Sequence, residues 1–162
     1  MISVRSLLAL CFAAMFVGTI SAANAAVLIT IDKSTQHMTV AVDGTVRWTW
    51  PVSTGSRRYD TPNGNYSAFR MEKDHFSKKW DDVPMPHSIF FTKRGHAIHG
   101  SYHTHLGHPV SRGCVRLSPG NAAKLYALIE REGLSNTTVD VTGSLSRGRE
   151  RRHESHAGAV PE

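Results

Sequence analysis

The sequence predicts a mainly β fold in which two sheets pack against each other and one helix lies beside them. Several short runs alternate apolar and polar residues, as half-buried strands do, and turn residues separate these runs. Only one stretch, in the C-terminal half, has apolar residues at helical spacing. The chain has 162 residues, of which 40% are hydrophobic and 20% charged, which is typical of one globular domain.

The first part of the predicted domain contains three strands. Residues 26–32 and 37–43 alternate apolar side chains around a polar turn, which indicates a hairpin. Residues 45–52 follow a second turn signal as another strand, and Pro51 favours the edge or the end of a sheet. We therefore expect these strands to be neighbours in one sheet.

The middle of the chain is predicted to be less regular. Residues 53–65 are rich in glycine and proline, which indicates a defined loop. Residues 66–71 are expected to return to a strand, whereas residues 72–86 are polar, charged and without a clear period. We predict a long surface loop there, followed by short strands at 88–92 and 97–99.

The helix has clear start and stop signals. Ser118 is predicted as its N-cap and Pro119 as a residue of its first turn, while Gly133 ends it. Residues 137–142 form a closing strand in this interpretation. The apolar residues at helical spacing are Ala122, Leu125, Leu128 and Ile129.

The two ends are predicted to lie outside the domain, which leaves residues 26–142. Residues 1–25 combine Arg5, an apolar run and a small-x-small site, which is typical of a signal peptide cleaved after Ala25. A membrane anchor is the competing interpretation. A spanning helix needs about 20 apolar residues, however, and the apolar run here is shorter and ends in a cleavage pattern. We therefore expect an exported, non-spanning mature form. Residues 143–162 are highly charged and poor in apolar residues, which predicts a disordered tail.

The charge balance limits the kinds of partner that the protein can have. Without Arg5, 18 basic residues face 13 acidic ones, so the expected mature chain carries +5 with neutral histidines. This modest excess favours an anionic polymer or an acidic peptide. The basic residues are scattered and show no interleaving with aromatic residues, so we do not expect nucleic acid as a partner.

Residues 96–117 contain the chemistry that the sequence suggests. They hold five of the ten histidines together with Cys114. The other cysteine, Cys11, lies in the predicted signal peptide, so Cys114 would have no intramolecular disulfide partner after processing. A single cysteine is often a small buried hydrophobe, but a thiol beside histidine can instead become an activated nucleophile. We favour the second interpretation.

A thiol nucleophile needs a base, a group that orients the base, and donors for the oxyanion. His99 lies fifteen residues before Cys114 and is the candidate base, and the backbone carbonyl of Gly100 is its candidate orienter. Gly113 allows a sharp turn that directs backbone amides at a bound carbonyl. Arg116 would share the side of a strand with Cys114, where it binds a substrate carboxylate or forms a surface salt bridge.

The remaining histidines of this stretch leave a second interpretation open, a periplasmic metal-binding module. Imidazole and thiolate both bind zinc and copper, but the spacings fit no tight ligand motif. We therefore do not predict a bound metal. The potential ligands besides Cys114 are His96, His99, His103, His105 and His108.

Two segments resemble the motif of the L,D-transpeptidase catalytic domain, the YkuD-like family of bacterial cell-wall enzymes. They are residues 98–101, which read IHGS, and residues 106–117, which read LGHPVSRGCVRL. The likeness extends over about residues 27–142. Arg112 departs from the pattern, since many members have histidine there. Shorter matching blocks lie at residues 53–55, 61–64 and 85–86.

The resemblance implies a mixed β-sandwich-like L,D-transpeptidase fold with its main helix after the nucleophile. It also implies roles for individual residues: Cys114 as nucleophile, His99 as base and the Gly100 carbonyl as its orienter. A resting ion pair between the Cys114 thiolate and protonated His99 is expected, and low pH should abolish it. The residues implied at the substrate site are Ser111, Arg112, Gly113 and Arg116.

The implied reaction is peptidoglycan cross-linking in the periplasm without a cofactor. The thiol would attack a tetrapeptide stem between the L-centre of its diamino acid and the terminal D-alanine, which leaves. An acceptor amine would then resolve the thioester. The acceptor stays open: a second stem peptide gives a cross-link, water gives an L,D-carboxypeptidase, and an outer-membrane protein gives tethering to the wall.

Overall fold

The computed structural model describes residues 26–79, 82–102 and 105–145. The predicted signal peptide and the predicted tail from residue 146 onward lie outside these ranges. The described chain forms nine strands and one α-helix. In chain order they are β1 (Val27–Asp32), β2 (His37–Val42), β3 (Thr45–Pro51), β4 (Gly64–Ser67), β5 (Arg70–Ser77), β6 (Val83–Phe90), β7 (Ala97–Gly100), β8 (Val115–Leu117), α1 (Pro119–Glu132) and β9 (Thr137–Thr142).

The first sheet has five strands in the order β3-β2-β1-β9-β4. The three N-terminal strands pair antiparallel, as the alternating pattern predicted, and β9 pairs parallel with β1. The register puts Ile29 opposite Val40 on one side and opposite Val139 on the other. Strands from the two ends of the domain therefore form the middle of this sheet.

The second sheet has four strands in the order β5-β6-β7-β8. Its first three strands pair antiparallel, whereas β7 and β8 run parallel. The parallel pairing brings residues 97–100 beside residues 115–117. The loop between these strands thus leads back to the end of the sheet at which β7 begins.

One apolar cluster joins both sheets to the helix. Ile29 comes from the first sheet, Ile98 and Leu117 from the second, and Leu125 from α1; each side chain is fully buried. The structure confirms the predicted mainly β fold with a single main helix.

The ends of α1 follow the sequence signals. The Ser118 hydroxyl accepts a hydrogen bond from the Asn121 N–H at 3.3 Å, and Pro119 opens the helix, where a missing N–H costs nothing. Gly133 ends the helix with a φ of 89°, which glycine adopts without strain. The four apolar residues at helical spacing are buried, so this prediction is confirmed.

The prediction of a long surface loop at residues 72–86 is wrong. Most of it belongs to β5 and β6, which pair antiparallel from Arg70 opposite Phe90 to Ser77 opposite Val83. Two prolines in β6 and the charged, partly exposed face of β5 conceal the alternation on which a strand prediction rests. Tertiary pairing, rather than local propensity, makes these residues extended.

The predicted strand at residues 66–71 is in fact divided between the two sheets. The Ala68 N–H donates to the Thr137 carbonyl at 3.1 Å in the first sheet. The next N–H, that of Phe69, donates to the Phe90 carbonyl at 3.1 Å in the second. The chain crosses from one sheet to the other at this point.

The start of the predicted tail contacts the domain. The Asn63 side-chain amide donates to the Gly143 carbonyl at 2.9 Å, and the Ser144 N–H donates to the Ser34 hydroxyl at 3.0 Å.

Among the described residues, no helix has the length and apolar character needed to cross a membrane.

Leu125 is a fully buried member of the apolar cluster that contains residues of both sheets, so its truncation should leave a cavity in this core. We expect Leu125→Ala to reduce the free energy of unfolding by about 2–5 kcal/mol, measured by urea denaturation. Leu28 is 44% exposed and is the matched control. Leu28→Ala should cost less than about 1 kcal/mol. Equal losses in the two variants would contradict the assignment of Leu125 to a common core.

Candidate active site

The parallel pair of β7 and β8 positions the three main candidate side chains. His99 lies directly opposite Arg116, and Cys114 lies two residues before Arg116. Because side chains alternate along a strand, these three residues share one face of the sheet. Cys114 directly precedes β8 and packs against Ala97, which lies two residues before His99 on β7.

His99 is held in one tautomer by its own backbone neighbour. The side chain is buried, with 5% of the residue exposed, and its Nδ1–H donates to the Gly100 carbonyl at 2.7 Å. A carbonyl can only accept, so Nδ1 carries the proton and Nε2 keeps its lone pair when the ring is neutral. The pKa of His99 is lowered to about 4, mainly by burial and also by the charge of Arg116, while the hydrogen bond to the Gly100 carbonyl opposes these effects.

Burial raises the pKa of the Cys114 thiol, while a backbone hydrogen bond with Ala97 and the charge of Arg116 oppose this. The Sγ atom lies 3.9 Å from the Gly95 carbonyl oxygen, the geometry of a weak S–H donor. A thiol with a raised pKa stays protonated at pH 7, and an imidazole with a pKa of about 4 is neutral. The prediction of a resting ion pair between the Cys114 thiolate and protonated His99 is therefore wrong.

Arg116 is the fixed positive charge of the site. It is half-buried, and burial lowers its pKa, whereas Cys114 raises it. The backbone N–H of Arg116 donates to the Ser53 carbonyl at 2.9 Å, which attaches β8 to the loop after β3. Arg112 is exposed and adds a second positive charge that also lowers the pKa of Arg116. The site is thus electropositive on the side of β8.

Gly113 gives the chain before Cys114 a shape that other residues do not adopt easily. Its φ is 110°, and a Cβ atom there would lie 3.1 Å from the His96 ring and 3.4 Å from the Tyr59 carbonyl. The Gly113 carbonyl accepts a hydrogen bond from the Thr61 hydroxyl at 2.9 Å. Its N–H donates to the Ser111 hydroxyl at 3.1 Å, so that amide is already engaged.

Ser111 supports the loop from inside. The residue is 1% exposed, and its hydroxyl accepts from the Gly113 N–H and donates to the Cys114 carbonyl. Both hydrogen bonds are internal to the loop, so in this state the side chain does not line an open substrate pocket as the sequence suggested. It fixes the backbone on both sides of Cys114 instead.

Sequence reasoning missed the network that holds this loop against the domain. The Thr61 hydroxyl accepts from the Gly55 N–H at 2.9 Å and donates to the loop, while the Gln36 side chain binds the backbone N–H and the hydroxyl of Thr54. Lys33 donates to both carboxylate oxygens of Asp60 and to the Thr61 carbonyl. The Thr-Pro-Asn-Gly block at residues 61–64 was the available sequence signal for Thr61.

An apolar floor lies beside the thiol. Met85, Phe90 and Ala97 form a small buried cluster, and Cys114 packs against it. The His75 ring meets the Phe90 ring edge-on with 5.1 Å between centroids, and its Nδ1 contacts the Glu72 carboxylate. His75 also contributes to the lowered pKa of His99. These two polar residues were missed because their strand was interpreted as a loop.

The other histidines that the structure describes do not gather around Cys114 as a metal site. Among the described residues, no group of three or more His, Cys, Asp or Glu side chains could hold a metal ion. His96 bonds to the Thr92 hydroxyl at 2.7 Å, whereas His105 and His108 are exposed. His103 lies outside the described residues.

The family model of the L,D-transpeptidase catalytic domain (YkuD) matches residues 26–141, and the chain belongs to this family. Solved structures support the same fold. An L,D-transpeptidase from Mycobacterium smegmatis is 26% identical with a TM-score of 0.65, and the match covers 73% of this chain and 59% of that chain. One from Stackebrandtia nassauensis is 31% identical with a TM-score of 0.65, and the match covers 74% and 57%.

A third similar structure is an LD transpeptidase, LdtMt1, in complex with imipenem. It is 24% identical with a TM-score of 0.64, covers 73% of this chain and 59% of that chain, and supports the fold alone. The chain therefore spans less than two thirds of the length of these structures. A comparison with curated proteins found no match. The L,D-transpeptidase fold expected from the sequence is confirmed.

Replacement of Gly113 tests the shape of the loop before Cys114. Gly107→Ala is the matched control, because Gly107 also has a positive φ, 87°, but a Cβ there meets nothing within 4 Å. Both variants should lose about 1–2 kcal/mol of unfolding free energy from backbone strain. Gly113→Ala should lose about 1 kcal/mol more because of the His96 contact. Equal losses in thermal or urea denaturation would contradict the close packing at Gly113.

Removal of the Arg116 charge tests the electrostatics of the thiol. Arg116 lowers the pKa of Cys114, so Arg116→Gln should raise that pKa and leave less thiolate at any given pH. Alkylation by iodoacetamide should slow severalfold at pH 7.5, and its midpoint should move to higher pH. Arg47→Gln, on an exposed residue of β3, is the control and should alter neither quantity. An unchanged or faster reaction in Arg116→Gln would be inconsistent with this arrangement.

Proposed function

We propose that the chain is a cysteine L,D-transpeptidase that acts on the tetrapeptide stems of peptidoglycan through a Cys114 thioester. The observation that carries this proposal is the placement of His99 and Cys114 on one face of the β7–β8 pair, with the His99 Nδ1–H fixed by the Gly100 carbonyl. This arrangement gives a partly buried thiol and a neutral imidazole whose Nε2 can accept a proton. The family match supports the same reaction class.

Acylation begins from neutral partners. The thiol attacks the carbonyl between the L-centre of the diamino acid and the terminal D-alanine, and His99 Nε2 takes the thiol proton as the C–S bond forms. The Cys114 N–H is the proposed donor to the oxyanion, because the Gly113 N–H is engaged by Ser111. Collapse of the tetrahedral intermediate breaks the C–N bond. The imidazolium then returns its proton to the amine of the departing D-alanine.

Deacylation reverses these roles with a different amine. The acceptor amine of a second stem attacks the thioester carbonyl, His99 takes a proton from the amine, and the C–S bond breaks. The leaving thiolate recovers the proton from His99. A peptide cross-link forms and the enzyme is regenerated. If water is the acceptor instead, the same steps give an L,D-carboxypeptidase and shorten the stem.

The positive charge of Arg116 suits both halves of this reaction. It favours the thiolate character that develops as Cys114 loses its proton, and the guanidinium can bind a stem carboxylate. Arg112, at the position where many family members have histidine, is exposed beside it and extends the same positive surface. We assign Ser111 to positioning of the loop, since its hydroxyl bonds only to loop backbone.

We further propose that the protein works outside the cytoplasmic membrane, in the periplasm. Support comes from the signal-peptide pattern of residues 1–25 and from the substrate, since peptidoglycan lies in that compartment. The proposed acceptor is a second stem peptide. An outer-membrane protein as acceptor stays a narrower alternative that the experiment below also detects.

Mass analysis of muropeptide products tests the proposed activity. Purified protein incubated with disaccharide-tetrapeptides should release D-alanine and form cross-linked dimers, whereas tripeptides alone would indicate the carboxypeptidase. Cys114→Ala should abolish both products, and His99→Gln should slow their formation by at least about 100-fold because the base is lost. His105→Gln, on an exposed histidine, is the control and should keep full activity.

Three results would contradict the proposal. The first is formation of dimers by Cys114→Ala, and the second is an equal loss of activity in His99→Gln and His105→Gln. The third is no mass increase at Cys114 when the wild-type protein is treated with imipenem. An adduct mass that corresponds to a linked outer-membrane protein, in a reaction supplied with that protein and intact wall, would instead support the tethering alternative.

A further inference from the structure

A second histidine lies on the face of the second sheet that carries the thiol. His75 of β5 is paired with Met85 of β6, and Met85 belongs to the small apolar cluster against which Cys114 packs. The His75 ring also meets the Phe90 ring of this cluster edge-on, with 5.1 Å between centroids. Phe90 is paired in turn with Ala97 of β7. Contacts between neighbouring strands therefore lead without a break from His75 to the thiol.

A carboxylate fixes the orientation of the His75 ring. Its Nδ1 contacts one oxygen of the Glu72 carboxylate. An ionised carboxylate only accepts, so Nδ1 carries the proton and Nε2 has the lone pair when the ring is neutral. The other carboxylate oxygen lies 3.4 Å from Arg70 Nε, and the Arg70 guanidinium lies over the Phe90 ring, 3.8 Å from its centroid. Glu72 is thereby held in place from both sides.

His75 and His99 share a tautomer but differ in their surroundings. His99 has only the Gly100 carbonyl at Nδ1, and its pKa is lowered to about 4, mainly by burial. His75 has a carboxylate at Nδ1 instead, and 23% of its side chain is exposed. A carboxylate balances the charge of an imidazolium, whereas a carbonyl offers only a dipole. His75 is thus the better position for a proton that must leave the site through water.

The proposed cross-linking step must remove two protons from the acceptor. An alkyl amine is an ammonium ion near pH 7 and has no lone pair with which to attack. It loses one proton before it attacks the thioester and a second proton as the new bond forms. His99 takes the second proton and returns it to the leaving thiolate, so a different base is needed for the first one. Water as an acceptor has a lone pair from the start and needs no such base.

We propose that His75 is the base that takes the first proton from the acceptor ammonium, and that Glu72 orients it. The proposal deepens the proposed function and rests on it for the thioester. The ammonium gives one proton to His75 Nε2, and the imidazolium later releases this proton to water. The free amine attacks the thioester, and one of its remaining protons passes through His99 to the Cys114 sulfur. One amide bond forms, one C–S bond breaks and one proton enters the solvent.

Ionisable groups on β7 and α1 also act on this pair. Burial lowers the pKa of His99, and the charge of His75 contributes to the same shift. The pKa of Tyr126 is raised by burial first and then by nearby carboxylates, so His99 and Tyr126 are both neutral near pH 7. These carboxylates are Glu130, Asp74 and Glu72. The side chains of β6 that face His75 are apolar, so the charged group in contact with His75, among the described residues, is the Glu72 carboxylate.

Product analysis that separates the two acceptors tests this proposal. The full-length protein would be incubated with disaccharide-tetrapeptides, with and without hydroxylamine, whose amine is already unprotonated at pH 7.5. His75→Gln should form dimers at least about tenfold more slowly than the wild type at pH 7.5, because the first proton has no base. Hydroxamate formation, which needs no such base, should slow by less than about twofold. At pH 9 the dimer deficit should shrink severalfold, since more of the acceptor is free amine.

Two further variants complete the comparison. Glu72→Gln should give the same pattern with a smaller loss, because the imidazole stays but loses its orienting carboxylate. His37→Gln is the matched control: the His37 Nδ1 also contacts an oxygen, the Thr35 carbonyl at 2.8 Å, but this histidine is exposed on β2 of the other sheet. It should keep the wild-type rates of both products. Acylation by imipenem verifies that each variant is folded, and if His75→Gln fails this check, Glu72→Gln decides by the same comparison.

Equal dimer rates in His75→Gln and His37→Gln would overturn the proposal. Equal losses of dimer and hydroxamate in His75→Gln, or a deficit that is unchanged at pH 9, would also overturn it and would give the pair a structural role. A wild-type protein that forms hydroxamate but no dimers would refute the role of His75 alone. A wild-type protein that forms neither product would refute the proposed function, and the role of His75 with it.

Discussion

The parallel pairing of β7 with β8 is the constraint on which the candidate site depends. It joins a strand that ends in His99 and Gly100 to one that begins directly after Cys114, although the loop between them is long. The alternation that buries Ile98 and Leu117 in the core turns His99, Cys114 and Arg116 to the other face. A shift of the strand register by one residue would turn these side chains into the core. Core packing therefore also fixes which side chains face the candidate site.

Burial then decides the protonation states. It disfavours charge on both partners, which lowers the pKa of the imidazole and raises that of the thiol. The charge of Arg116 lowers the pKa of both groups, so it favours a thiolate at Cys114 but disfavours an imidazolium at His99. These protonation states suit the proposed mechanism, in which the proton is transferred during attack on the substrate and no thiolate is formed in advance.

The features that sequence predicts well here are local ones. The N-cap at Ser118, the stop at Gly133 and the alternation in β1 and β2 all depend on residues a few positions apart. The β5–β6 pair was missed because prolines and charges obscure its period, and its stability comes from partners elsewhere in the chain. The hydrogen bond from Thr61 to Gly113 joins residues 52 positions apart, and burial of His99 depends on the whole fold, so neither can be read from local pattern.

The central claim is that His99 is a neutral base with its proton on Nδ1 and its lone pair on Nε2. The measurement that tests it most directly is a nitrogen-15 NMR titration of the labelled imidazole in the wild-type protein. The account predicts a neutral, Nδ1-protonated ring from pH 7 down to about pH 5, with protonation only near the pKa of about 4. An imidazolium signal at pH 7, or a proton on Nε2, would contradict it.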